Sequence, residues 1–121
     1  MSGALVAIIL DNQNISNTLK VMLEDAGFVS KIYTTSSEAL ADFNTIKPTL
    51  VVHCSGATQS DGPEFAREMR RHHETPILFL SVDADSIEDT LRGDALPATY
   101  YLPMQDFSER TFIDQVSLGC D

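Results

Sequence analysis

Hydrophobic residues occur along the chain in five short runs, separated by longer stretches in which apolar residues recur with helical spacing. The runs are residues 5–10, 29–34, 50–54, 76–81 and 98–102. Three of them coincide closely with the almost continuously apolar segments VAIIL, TLVVHC and PILFL, which are typical of strands covered on both faces of a parallel sheet. The pattern therefore predicts five strands, most of them buried.

The stretches after the strands are predicted to be amphipathic helices. The first carries an apolar stripe that ends at a glycine, a common helix terminator; the stripe consists of Ile15, Leu19, Met22, Leu23 and Ala26. Four further helices are predicted from capping patterns, which begin at Thr35, Asp61, Asp85 and Asp106. Their predicted core residues are Ala39, Leu40, Phe43, Phe65, Met69, Ile87, Leu91, Phe112, Ile113 and Val116.

This regular alternation of strand and helix predicts an α/β fold. Right-handed crossovers give a parallel sheet with helices on both faces, and five units are too few for an eight-fold barrel. Ligand sites of such open sheets lie at the carboxyl ends of the strands. That edge is predicted to hold Asp11, Cys54, Ser81 and Met104.

Length, composition and charge narrow the class of protein. The 121 residues, 43% hydrophobic and 21% charged, fit one globular domain. A net charge of −10 opposes direct binding to nucleic acid or to an anionic membrane. The N-terminal apolar run has no basic lead and is too short for a signal peptide or membrane span. Two cysteines without metal or redox spacing fit a reducing cytoplasm, and no cofactor is expected.

Two enzyme classes are excluded by the segments that follow the first and third strands. The turn after the first strand, Leu-Asp-Asn-Gln-Asn-Ile, has no glycine, so phosphate binding of the Rossmann or P-loop type is not expected. The Cys54-Ser-Gly segment lacks the frame of a nucleophile elbow. We expect a protein that is not an enzyme.

Several segments resemble the receiver domain of two-component response regulators, in order and across the whole chain. They are Asp11 with the downstream LKVMLEDAGF, the KPTLVV segment from Lys47, the DGPEF segment from Asp61, TPILFLS from Thr75, and Tyr101-Leu-Pro. The resemblance implies a flavodoxin-like sheet of five parallel strands in the order 2-1-3-4-5. It also implies a signalling role, with the chain as the regulatory domain of a longer protein, because receivers commonly connect to an output domain after the last helix.

The same resemblance implies a degenerate phosphorylation pocket. The family uses two acidic residues after the first strand, an aspartate after the third, Ser or Thr on the fourth and Lys on the fifth. The corresponding positions here are Leu10, Asp11, Cys54, Ser81 and Met104. We therefore expect a pseudo-receiver that neither binds Mg²⁺ strongly nor becomes phosphorylated.

Other readings of single residues remain open. Tyr101 matches the aromatic switch position of the family, although packing alone also explains it. Cys54 is either an inert thiol or a redox sensor, and the altered pocket is an alternative site for a small apolar ligand. Because neighbouring strand residues point to opposite faces, His53 is expected in the core and not as a metal ligand with Cys54.

The last part of the chain is strongly acidic. Between residues 83 and 114 there are two arginines and eight acids, namely Asp83, Asp85, Glu88, Asp89, Asp94, Asp106, Glu109 and Asp114. These acids define what we call the acidic face, formed by the predicted fourth helix, fifth strand and fifth helix. Like charges oppose symmetric pairing of this face, so we expect an isolated monomer that binds a basic partner protein or a linked output domain through it.

Overall fold

The five predicted strands form one parallel sheet. A computed structural model of the chain describes residues 4–10, 12–54, 62–81 and 98–120, and its strands are ordered β2-β1-β3-β4-β5. This confirms the α/β fold class and the strand order. The strands are β1 (Leu5–Ile9), β2 (Val29–Tyr33), β3 (Leu50–His53), β4 (Ile77–Ser81) and β5 (Thr99–Pro103), each bound within one residue of its prediction.

Helices follow the strands, as the alternating pattern predicts. They are α1 (Gln13–Asp25), α2 (Ser36–Ile46), α3 (Gly62–His72) and a C-terminal helix (Glu109–Cys120), which a short 3-10 helix (Met104–Asp106) precedes. The helix predicted from Asp85 lies outside the described residues.

Side-chain caps set the starts of these helices. Thr35 Oγ1 accepts a hydrogen bond of 3.1 Å from the Glu38 amide, as the capping pattern predicts. The C-terminal helix begins three residues later than its predicted cap. Asp106, the predicted cap, is the last residue of the 3-10 helix. The capping residue is Ser108, whose Oγ accepts a hydrogen bond of 3.1 Å from the Thr111 amide. The local hydroxyl therefore decides where this helix starts.

The core consists of two apolar layers, one on each face of the sheet. The first layer lies under α2 and α3 and includes Ala7, Ile9, Val51, Phe79, Phe43, Phe65 and Met69. The second lies under α1 and the C-terminal helix and includes Ile8, Leu10, Val52, Leu19, Leu23, Phe112 and Val116. Successive residues of β1 and β3 contribute to opposite layers, which explains their continuous hydrophobicity.

The predicted apolar stripe of α1 is wrong at both ends. Ile15 is 43% exposed and Ala26 is also exposed, whereas Ser16 is fully buried. The Ser16 hydroxyl donates to the Asn12 carbonyl oxygen at 2.7 Å, which satisfies it without a water partner. The buried face of α1 is therefore centred on Ser16, Leu19 and Leu23.

Candidate functional site

The carboxyl edge of the sheet brings Leu10 and Cys54 side by side. Leu10 directly follows β1, and its amide donates to the Tyr33 carbonyl oxygen of β2 at 2.9 Å. Cys54 directly follows β3, and its amide donates to the Ile9 carbonyl oxygen of β1 at 2.9 Å. Ile9 and His53 are paired in register. The two residues after them are therefore neighbours at the edge where a site is expected.

Both side chains belong to the apolar layer beneath α1 and the C-terminal helix. Leu10 is only 8% exposed, and Cys54 is a partly exposed residue packed against the same layer. Desolvation by burial raises the pKa of the Cys54 thiol to about 12. At neutral pH this thiol is therefore protonated and uncharged.

The other predicted pocket positions are only partly described. Ser81 is the last residue of β4 and pairs with Pro103 of β5. Met104 begins the 3-10 helix directly after that strand. Both backbones thus reach the carboxyl edge, while Asp11 lies outside the described residues.

Tyr101 is a half-buried residue in the middle of β5. Its ring stacks on that of Phe79 with centroids 5.7 Å apart and planes inclined by 14°. It packs against the layer under α2 and α3, opposite to the layer that holds Leu10 and Cys54. Aromatic packing is therefore a sufficient account of its place in the fold.

His53 is a core residue, as the alternation of strand side chains predicts. It is 2% exposed, and its ring lies 5.0 Å from that of Phe65 and 5.4 Å from that of Phe79. Its Nε2 atom is 3.0 Å from Ser36 Oγ. Ser36 was not predicted to be this buried partner, although it precedes the core residues Ala39 and Phe43 by three and seven positions, the spacing of one helix face. The buried pair connects β3 to the first turn of α2.

The described part of the acidic face is exposed to solvent. Asp106, Glu109 and Asp114 are exposed, and the other five acids lie outside the described residues. Arg110 Nε is 4.0 Å from Asp114 Oδ2, with side chains 91% and 69% exposed. Such an exposed pair contributes little to stability. Because the carboxylates of Asp106, Glu109 and Asp114 are exposed, they remain accessible to a partner.

Neither cysteine is engaged in a disulfide with the other. Gly119 lies against Leu50, the first residue of β3, so the adjoining Cys120 is near the amino edge while Cys54 is at the carboxyl edge. Among residues 4–10, 12–54, 62–81 and 98–120, no group of three or more His, Cys, Asp or Glu is placed to hold a metal ion. In the same residues, every helix is too short or too polar to cross a membrane.

Comparison with known proteins relates this fold to bacterial signalling proteins, although no protein-family model matches the chain. The KDP operon transcriptional regulatory protein KdpE of Escherichia coli (strain K12) is 30% identical over 90 residues, which is 74% of this chain and 40% of KdpE. The chain thus spans about two fifths of the length of this curated relative.

Several solved structures match almost the whole chain. The receiver domain of the Francisella response regulator 1452 is 25% identical with a TM-score of 0.80, covering 96% of this chain and 95% of that one. The Vibrio cholerae chemotaxis protein CheY4 is 25% identical with a TM-score of 0.79, covering 98% and 99%. Together with the parallel sheet in the order 2-1-3-4-5, these similarities show that the chain belongs to the response regulator receiver domain family of signalling proteins.

Proposed function

We propose that this domain is a pseudo-receiver, a module that regulates an output domain or a partner protein independently of aspartyl phosphorylation. The observation that carries the proposal is the pair at the carboxyl edge. A buried aliphatic side chain, Leu10, lies beside a desolvated and protonated thiol, Cys54. The resemblance to receivers implies carboxylates at both positions.

Leu10 and Cys54 do not fit a magnesium site. Mg²⁺ prefers oxygen ligands in an octahedral arrangement and usually takes carboxylates as its charged anchors. Leu10 offers no ligand atom, and the Cys54 thiol is uncharged at neutral pH because its pKa is raised to about 12. Of the five pocket positions that the resemblance implies, Asp11 alone carries a carboxylate.

Phosphoryl transfer to this edge is disfavoured for the same reason. An acyl phosphate needs a carboxylate acceptor, and a thiol nucleophile acts as its thiolate. Phosphoryl transfer also needs cationic groups that stabilise the negative charge of the transition state. Met104, at the position where the family carries lysine, has no charge. The domain therefore has no enzymatic activity of its own under this proposal.

The raised thiol pKa also argues against the redox alternative. Redox-sensing cysteines have lowered pKa values and solvent-accessible thiolates. Burial moves the pKa of Cys54 in the opposite direction. A small-ligand sensor has no specific support among the described residues, so the interaction module is the function we propose.

We further propose that the chain acts as the regulatory domain of a longer cytoplasmic protein. Its match to KdpE, a transcriptional regulatory protein of which it covers 40%, supports this arrangement. The exposed carboxylates of Asp106, Glu109 and Asp114 favour contact with a basic surface of the output domain or partner through the acidic face. Their mutual repulsion favours a monomer for the isolated domain.

Intact-mass spectrometry under native conditions tests the proposal. The chain is incubated with acetyl phosphate and Mg²⁺ beside a receiver domain that carries aspartate after its third strand. We expect a phosphoryl adduct on the control receiver and an unchanged, monomeric mass for this chain. A phosphoryl adduct on this chain would overturn the pseudo-receiver proposal.

A restored variant provides the converse test. Leu10→Asp, Cys54→Asp and Met104→Lys together supply the missing carboxylates and cation, beside the native Asp11. We expect this variant to gain Mg²⁺-dependent phosphorylation if it keeps the receiver fold, which circular dichroism checks. A folded variant that stays unmodified would mean that these positions do not form the family's pocket.

A further inference from the structure

A groove runs between the outer surfaces of α1 and the C-terminal helix. It comprises two adjoining hollows of about 450 and 420 Å³, which share Met22, Asp25 and Glu109 in their linings. Met22 and Ile113 form its floor and pack against the apolar layer beneath. Val21 adds an aliphatic side chain that is 56% exposed. We call this feature the helix groove.

The rim of the helix groove is negatively charged. Three exposed carboxylates line it, from Asp25, Glu109 and Asp114, against one guanidinium, that of Arg110. The guanidinium is already beside Asp114, 4.0 Å away. The groove therefore presents an apolar floor within an acidic rim.

The position of Asp25 strengthens this negative potential. It is the last residue of α1, and no basic residue lies in the last turn of that helix. A helix carboxyl end carries a partial negative charge of its own, so a carboxylate there is unfavourable for the isolated helix. The carboxyl end of α1 and the Asp25 carboxylate therefore both add negative charge beside the helix groove. A cation bound there would relieve both.

We propose that the helix groove docks an amphipathic helix of a partner protein, with an apolar stripe on the floor and Lys or Arg on the rim. This is the helix-in-groove mode, in which apolar side chains anchor and flanking charges orient the ligand. The groove side of α1, from Asn17 to Asp25, is about two helical turns long. A second copy of the chain fits poorly, because symmetric contact sets this acidic rim against itself.

The docking proposal rests in part on the proposed acidic face, because Glu109 and Asp114 belong to both, but it is separate from the loss of phosphorylation. Met22, Val21 and Asp25 are on α1, which contributes no residue to the acidic face. Docking also needs no phosphoryl group. Failure of the docking proposal therefore leaves the loss of phosphorylation untouched, and the reverse also holds, since docking is read from peptide binding and phosphorylation from phosphoryl adducts.

A synthetic helical peptide tests the groove directly. The probe is a fluorescein-labelled peptide of about 15 residues, long enough for some helicity, with leucines at helical spacing and lysines elsewhere. One control peptide carries glutamate in place of lysine, and another has the same composition with the leucines scattered. We expect the probe alone to raise fluorescence anisotropy with the 121-residue chain, and its affinity to fall as salt is added.

Matched variants of the chain localise the binding. Val21→Lys places a charge on the groove, while Leu118→Lys makes the same change at an aliphatic side chain that is 62% exposed and outside both hollows. Truncating or disrupting an interface anchor costs at least about fivefold in affinity. We expect that loss for Val21→Lys, and an affinity close to that of the native chain for Leu118→Lys.

A second pair of variants tests the charged rim. Asp25→Asn with Glu109→Gln neutralises two rim carboxylates, whereas Glu64→Gln with Glu74→Gln neutralises two exposed carboxylates elsewhere. We expect only the first pair to weaken the probe and flatten its salt dependence. Thermal melts check that all variants remain folded.

Several outcomes would overturn the docking proposal. These are no binding of the lysine peptide, equal binding of the glutamate or scattered peptide, and equal losses in the groove and control variants. Sedimentation of a dimer that Val21→Lys dissociates would assign the groove to a second copy instead.

Discussion

The thiol of Cys54 should react with alkylating reagents far more slowly than an ordinary cysteine. Burial raises its pKa to about 12, against about 8.5 for a free cysteine. At pH 8 the thiolate is then about one part in 10,000 for Cys54 and about one in four for a free cysteine. Because the thiolate is the nucleophile, alkylation should be slower by roughly 2,000-fold at this pH.

The assay follows intact mass during reaction with iodoacetamide in a Cys120→Ser variant, where Cys54 is the single cysteine. The same variant in concentrated guanidinium chloride is the matched control, because unfolding exposes the thiol. We expect the native rate to rise about tenfold per pH unit up to about pH 10, and the denatured rate to level off near pH 9. A native rate within tenfold of the denatured rate at pH 8 would refute the desolvated-thiol argument.

Three other measurements follow from contacts of the described residues. Burial raises the pKa of Cys54, and burial with the Asp42 hydrogen bond raises that of Tyr33. The folded chain therefore keeps protons that the unfolded chain loses, so the melting temperature should fall as pH rises above about 8.5, and less steeply in Cys54→Ala. Ser36→Ala should lower the free energy of unfolding, measured by urea titration, by about 1–3 kcal/mol, because the buried His53 Nε2 atom loses the Ser36 hydroxyl. The control Ser37→Ala, at an exposed position, should change it by less than about 0.5 kcal/mol. Thr35→Ala, which removes the cap of α2, should destabilise the chain by about 1 kcal/mol in the same titration; no change would show that Thr35 does not cap the helix in solution.

Strand positions could be predicted from the sequence because their signal is local and redundant. Segments such as VAIIL and PILFL combine continuous hydrophobicity with β-branched or aromatic residues and end at polar positions. Periodicity alone does not distinguish so short an apolar run from a buried helix, so its length and its β-branched or aromatic content indicate a strand. The described strands lie within one residue of the predicted bounds for this reason.

Helix faces were harder to predict because hydrophobic periodicity tolerates a rotation of the helix. The predicted stripe and the buried face share Leu19 and Leu23, and their centres differ by about 50° around α1, because successive helix residues are about 100° apart. Hydrophobicity alone favours Ile15, yet the fold buries Ser16 and leaves Ile15 43% exposed. The small hydroxyl satisfies itself within the helix, so packing against the sheet decided the rotation. A one-dimensional pattern does not contain that contact.

The candidate site also has one feature that the sequence predicts and one that depends on packing. The location of the site at the carboxyl edge was predictable, because open parallel α/β sheets bind ligands at the carboxyl ends of their strands. Leu10 and Cys54 do lie side by side at that edge. The helix groove was not predictable. It depends on how α1 and the C-terminal helix pack side by side, and on Met22 and Ile113 being only partly buried in that packing.

The edge formed by Leu10 and Cys54 is physically connected to the stability of the fold through one apolar layer. Leu10 and Cys54 are packed into the layer that also contains Leu19 and Phe112. Carboxylates at the same two positions would have to be desolvated beside hydrocarbon, which is unfavourable unless a cation or hydrogen bonds compensate. A leucine and a protonated thiol remove that need, because each can pack without a charged partner. Under the pseudo-receiver proposal, loss of the phosphorylation chemistry and gain of core packing are therefore two consequences of having Leu10 and Cys54 at these positions.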